Sequence, residues 1–181
     1  VLGLRYFGEL KKATLTLAWA MANRNGFVAC HGGMKQYSLD DRTYTMAVFG
    51  LSGSGKSTIT LAKHAEDLPV TILHDDAFII SRKKGSTTAL EPSYFDKTQD
   101  YSSDDPTIAY FLTCQNVGVT TNEMQEKIII TQDIRNGNGR TVKSRFVTPN
   151  RVDHLAEPID AVFWIMKDDS LPPVLRIDDP T

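Results

Sequence analysis

The sequence predicts an α/β fold with a mixed sheet, α+β being the neighbouring arrangement. Three observations lead there. Residues 9–23 place apolar side chains at helical spacing. Several apolar runs of five or six residues have the length of strands. One of those runs, at 45–49, leads into a glycine-rich turn and then a second helical pattern.

The elements follow in order. Leu10, Ala13, Leu17, Ala20 and Met21 mark the first helix, and Asn25-Gly26 is a stop signal behind it. Residues 27–31 read as a short strand, 39–42 as a turn, and 45–49 as a second strand. Residues 57–64 read as a helix and 69–73 as a strand ending at His74-Asp75-Asp76, with apolar Phe78-Ile79-Ile80 beyond. Residues 81–106 lack periodicity and are rich in Ser, Thr, Asp and Lys. Tyr94, Phe95 and Tyr101 make this segment a functional loop region rather than a linker. Residues 127–131 read as a strand, Asn136-Gly137-Asn138-Gly139 as a turn, and 141–147 as its partner strand. Residues 161–166 form a last apolar strand before Leu171-Pro172-Pro173.

Composition narrows the class. With 181 residues, 41% hydrophobic and 23% charged, the chain has the profile of a globular protein with a sizeable core, and disordered or disulfide-dense classes are excluded. A net charge of −2 gives no bulk attraction to nucleic acid or an anionic membrane, so neither is expected as a partner. No apolar run is long enough to span a bilayer. Cys30 and Cys114 have no metal-type spacing, and a cytoplasmic setting is the default expectation. The chain starts at Val1 within a segment that already reads as structure, so a piece of a longer protein is expected.

The sharpest motif is Gly50-Leu51-Ser52-Gly53-Ser54-Gly55-Lys56-Ser57, which fits G-x-x-x-x-G-K-[ST] between a strand and a helix. Glycines let backbone N–H groups turn inward around phosphate oxygens, and the following helix start adds partial positive charge. Lys56 neutralises outer phosphates, and the Ser57 hydroxyl suits Mg²⁺. The alternative is a glycine turn that matches by chance. Asp75 and Asp76, ending the next strand, are placed to hold a metal near such phosphates, the alternative being a solvated turn.

A further set of residues is left over by a plain phosphate-loop reading: Tyr6, Lys11-Lys12, His31, Glu91 to Lys97, and Arg145. In order along the chain they resemble the ATP-dependent phosphoenolpyruvate carboxykinase family. Tyr6-Phe7-Gly8-Glu9-Leu10-Lys11-Lys12 resembles that family's Y-x-G-E-x-K-K segment, with His31 following at the family's Lys…His interval. Residues 50–57 resemble GLSGTGKT, and Asp75-Asp76 the paired aspartates. Residues 91–98 resemble E-G-G-x-Y-x-K-T. Lys143-Ser144-Arg145, with Pro149 and His154, resembles N-T-R…P…H, and residues 171–174 resemble L-P-P-V.

The resemblance implies a partial phosphate-loop nucleotide-binding domain over residues 27–181, preceded at 1–26 by the tail of an upstream substrate-binding domain. It implies conversion of oxaloacetate and ATP to phosphoenolpyruvate, CO₂ and ADP, a carboxy-lyase step of gluconeogenesis. Lys12, His31 and Asp76 would bind Mn²⁺, and Mg²⁺ would accompany ATP at Ser57 and Asp75. Imidazole and carboxylate suit such ions, while Lys12 can ligate only as a neutral amine. Lys12, Lys56, Asp76 and Arg145 would be catalytic, and Tyr6, Lys97 and Arg145 would meet the carboxylic substrate. For Arg145 and Lys97 a plain surface cation is the alternative. Three departures mark a divergent branch: Pro92-Ser93 in place of a glycine pair, His74 in place of glycine, and Gly32-Gly33-Met34 after the histidine. Because the family's chain is much longer, this chain alone is expected to lack turnover, and the rest of the parent chain is an expected partner. The other readings are a nucleotide-binding fragment and a kinase of the HPr kinase type, which leaves Lys12 and His31 unexplained.

Overall fold

The computed structural model describes residues 2–3, 7–62, 67–91, 94–97, 119–129, 139–142 and 149–178. Helix α1 (Phe7–Arg24) leads into β1 (Phe27–His31) through Asn25 and Gly26. Gly26 has φ 82°, the left-handed conformation that closes a helix at little steric cost. The helix exists as its period predicts. Leu10, Ala13, Leu17, Ala20 and Met21 are exposed, whereas Gly8, Leu15 and Ala22 are buried and Lys11, Ala18 and Trp19 half-buried. The inward face is fixed by the Lys11 ammonium, which is paired with a carboxylate on another element, and by Trp19, whose ring lies 5.9 Å from that of His31.

Two four-stranded sheets enclose the core. The first has the order β12 (Ala161–Ile165), β3 (Thr43–Gly50), β2 (Gly33–Ser38), β4 (Val70–His74). The second has β1, β5 (Ala77–Ser81), β6 (Thr87–Ala89) and β11 (His154–Leu155). Met34, Ala47 and Leu73 of the first sheet meet Cys30, Phe78 and Leu155 of the second. Burial pushes the Cys30 thiol up to about 11, so it stays protonated and packs as a small apolar group.

Strand direction decides what gathers where. Strand β2 is antiparallel to both β3 and β4, and β12 is parallel to β3. Strands β3, β4 and β12 therefore point the same way, and their last residues, Gly50, His74 and Ile165, share one edge. Helix α2 (Lys56–Leu61) starts from that edge and packs on β2. It is shorter than the 57–64 expected, because Ala62 is already extended. The approach is close: a Cβ at Gly33 would lie 1.8 Å from Thr60 Oγ1. Lys35, fully buried beneath the helix, donates to the Ile59 carbonyl and, at 3.3 Å, to that of Ala62. It thereby satisfies acceptors that a helix end leaves open.

Three expectations need correction. Strand β2 was absent from the periodicity reading, because Lys35 and Gln36 are polar yet buried. Residues 81–106 are not a loop throughout, since β6 and β7 (Tyr94–Lys97) lie within them. Strand β10 (Gly139–Val142) pairs antiparallel with β7, with Gly139 opposite Lys97. It is not the hairpin partner of β9 (Lys127–Ile129), which pairs with β8 (Val119–Thr121). A turn signal fixes a local reversal and cannot specify a partner forty residues away. Residues 136–138, 143–147, 130–131 and 98–106 lie outside the described residues. No described helix is long and apolar enough to cross a membrane.

The Gly33–Thr60 contact gives a stability test. Gly33→Ala should destabilise the protein by about 1–3 kcal/mol through overpacking, read as a lowered urea midpoint with an unchanged slope.

Candidate functional site

Asp76 sits in the two-residue turn between β4 and β5. The register of the second sheet pairs His31 with Ala77, so the end of β1 lies beside that turn, and the Gly32 amide donates to the Asp76 carbonyl at 3.0 Å. His31 Nε2 is consequently 2.7 Å from Asp76 Oδ1. From the opposite side, α1 delivers two ammonium groups. Lys11 Nζ donates to Asp76 Oδ2 at 2.7 Å, and Lys12 Nζ lies 3.2 and 3.4 Å from the two carboxylate oxygens. Lys11 also reaches Glu91 Oε1 at 3.3 Å.

The electrostatics follow from this crowding. Burial alone would raise the Asp76 carboxyl, but His31, Lys11 and Lys12 overcome it and hold the group far below the usual carboxylate range. Burial pulls the Lys11 ammonium down, yet Asp76 and Glu91 outweigh it and the net direction is up. Glu91 is raised by burial first, with Asp76 adding to the rise and Lys11 opposing it. Lys11 is thus a firmly charged strut between two carboxylates. The Arg151 guanidinium, itself buried, fastens the frame by donating to the Leu73 carbonyl at 3.1 Å and to the Glu91 carbonyl.

On the same sheet edge, β3 ends at Gly50 and the glycine-rich segment begins. Gly53 and Gly55 have φ of 75° and 101°, which a side chain would strain. A Cβ at Gly50 would lie 2.6 Å from both the Ile165 carbonyl and Ser54 Oγ, so the loop closes tightly on the end of β12. Lys56 Nζ folds back to donate to the carbonyls of Gly50 at 2.9 Å and Leu51 at 3.0 Å. Leu51, Ser52, Gly53 and Ser57 are exposed. The ends of β3 and β4 are two strand spacings apart, on the order of 10 Å.

The structure therefore brings together Lys12, His31 and Asp76, and puts Asp75 and residues 50–57 at the same edge. Lys97 ends β7, while Tyr6 and Arg145 lie outside the described residues. Among the described residues no group of three His, Cys, Asp or Glu side chains could hold a metal ion, so a site here depends on the lysine nitrogen as third donor. Sequence reasoning gave no role to Lys11, Glu91 or Arg151. For Lys11 and Glu91 the signal was present, as the first lysine of the pair and as the head of the 91–98 segment. Arg151 carried none.

Fold and cluster make this a mixed α/β domain that gathers a carboxylate, two lysines and a histidine beside a glycine-rich loop on one sheet edge. The chain belongs to the phosphoenolpyruvate carboxykinase family, whose model matches residues 1–180. It is 36% identical over 105 residues to a phosphoenolpyruvate carboxykinase (ATP) from Aeropyrum pernix, a match covering 54% of this chain and 21% of that protein. The chain thus spans a minor part of the relative's length.

The depressed Asp76 carboxyl has a signed consequence. Its favourable contribution is complete above the unfolded value, near about 4, and is lost as pH falls below it. Asp76→Asn should destabilise the protein by about 1–3 kcal/mol at pH 7, where Lys11 loses the nearer of its two carboxylate partners. That difference should shrink steadily in denaturant melts between pH 4 and pH 2.

Proposed function

We propose that this chain is the phosphate- and metal-binding portion of an ATP-dependent phosphoenolpyruvate carboxykinase, which converts oxaloacetate and ATP to phosphoenolpyruvate, CO₂ and ADP. The observation that carries the reading is the convergence of Lys12, His31 and Asp76, from three separate segments, within 2.7–3.4 Å at the carboxylate. A kinase of the HPr kinase type has no use for that convergence. The family membership and the carboxykinase (ATP) relative support the same reaction.

The donor set suits a divalent ion such as Mn²⁺: an imidazole nitrogen, a carboxylate oxygen and an amine meet at one place, provided that Lys12 gives up its proton. When bound, such an ion supplies positive charge against the oxyanion that decarboxylation develops. The chain's own residues have separable tasks. Lys11 holds Asp76 by one oxygen and leaves the other facing His31. The amides of residues 50–57 and the Lys56 ammonium would receive the β- and γ-phosphates, with Ser57 and Asp75 towards Mg²⁺. Transfer of the γ-phosphoryl group then needs the attacking oxygen and the phosphate in line, which an anchored loop at a fixed distance from Asp76 provides. Tyr6, Lys97 and Arg145 are assigned to the substrate side by the family resemblance. In this reading residues 1–26 end an upstream substrate domain, and residues 27–181 are part of the nucleotide domain.

Two outcomes are expected. In the parent protein, His31→Ala should weaken Mn²⁺ binding at least about 10–100-fold, the range already seen when only an outer partner is lost. Electron paramagnetic resonance of free Mn²⁺ reads this directly, and unchanged affinity removes His31 from the site. In a coupled assay for phosphoenolpyruvate with Mn²⁺ and Mg²⁺, the parent protein should turn over. The 181-residue chain should not, because misplacement by about 1 Å can already cost on the order of 10²-fold. An inactive parent would sink the carboxykinase assignment, whereas an active 181-residue chain would overturn only its incompleteness.

A further inference from the structure

We propose that His74 is a positioning residue for Asp76: its imidazole replaces a local turn-forming side chain and sets the backbone from which the Asp76 carboxylate is presented. His74 is fully buried at the end of β4. Its Nδ1 accepts from two backbone amides, those of Asp76 and Ala77, both at 3.0 Å. An imidazole nitrogen that accepts two N–H bonds carries no proton, so the proton of the neutral ring is on Nε2. That nitrogen faces Glu91 Oε2 at 3.6 Å, beyond direct hydrogen-bond range. Asp75 Oδ1 stands 3.8 Å from Nδ1.

An acceptor that reaches the amides two and three residues ahead does what an Asn or Asp side chain does in an Asx turn. Here the acceptor is a rigid ring locked by burial, so the turn has little room to rotate. The two amides it holds belong to Asp76 itself and to Ala77, the residue paired with His31. A shift of this turn would move the carboxylate relative to both His31 and Lys11. The glycine that the resembling family segment carries at this place has no side-chain acceptor, so in this chain the task falls to the imidazole.

The inference rests on the metal reading given above, and its test separates the two. The full parent protein is compared with His74→Phe, His74→Asn and Asp76→Asn. Each variant is titrated with Mn²⁺ alone, without nucleotide, and the exchange of the Asp76 and Ala77 amides is followed by NMR. His74→Phe keeps the volume but offers no acceptor. It should weaken Mn²⁺ binding about 10–100-fold and speed exchange at both amides. His74→Asn, whose Oδ1 can accept the same bonds, should recover most of both losses, which a merely space-filling role would not allow. Wild-type amides that exchange as fast as an open loop overturn the proposal even if His74→Phe fails to fold. Wild-type affinity in His74→Phe, beside a weakened Asp76→Asn, overturns it too and leaves the metal reading standing. Wild-type affinity in Asp76→Asn overturns the metal reading itself.

Discussion

The Asp76 carboxylate is the fixed point around which the described structure is arranged. It is partly buried, and a charge in that position is tolerable only if several donors meet it. Three side chains do so from two directions, Lys11 and Lys12 from α1 and His31 from the end of β1. That demand explains the rotation of α1, which turns a lysine inward and leaves Leu17 and Met21 in solvent. The inward face pairs Lys11 with Asp76 at 2.7 Å, with the Glu91 carboxylate behind it.

Sheet topology supplies the second constraint. Because β2 runs against β3 and β4, those two strands point the same way, and the glycine-rich loop and the aspartate turn emerge at one edge. The helix that follows the loop is only six residues long and would not hold its place alone. It is seated by the missing side chain at Gly33 and by the buried Lys35 ammonium under its last carbonyls. Both belong to β2, which also pairs with the strand leading to Asp76. One strand therefore couples the orientation of the loop helix to the aspartate turn.

What the sequence disclosed divides along the range of the forces involved. The loop at residues 50–57 was legible because glycine spacing, a preceding strand and a following helix are all local signals. Strand β1 and the stop at Gly26 were legible for the same reason. The convergence of Lys12, His31 and Asp76 was legible only through the family resemblance, since no spacing rule foretells that β1 and β5 pair with His31 opposite Ala77. Apolar periodicity identified the helix α1 but could not say which face turns inward, because the partner of that face is a carboxylate on another segment. Strand β2 was overlooked because Lys35 and Gln36 look solvated, and their burial depends on α2 and on Glu157, which lies 3.2 Å from the Gln36 amide. The pairing of β7 with β10 was hidden because strand partners distant in sequence leave no periodic trace.

The two lysines meet the carboxylate differently. Asp76 presents its two oxygens to different partners: Oδ2 to Lys11 and Oδ1 to His31. Lys11 is held high by Asp76 and Glu91 together, so it keeps its proton and its grip on Oδ2. Lys12 is nearly half exposed, and its contacts with the carboxylate are longer, at 3.2 and 3.4 Å. In the proposed reading, Asp76, His31 and a neutral Lys12 would hold a divalent ion, while Lys11 continues to neutralise the rest of the carboxylate. Binding a divalent ion there with loss of the Lys12 proton would raise the local charge by one unit, the ion's two charges set against one proton returned to water. Without that loss, two ammonium groups and a divalent ion would crowd one carboxylate and a Glu91 already driven towards its neutral form. The geometry of α1 against the β4–β5 turn gives the adjacent lysines different surroundings, Lys11 buried between two carboxylates and Lys12 nearly half exposed at longer range.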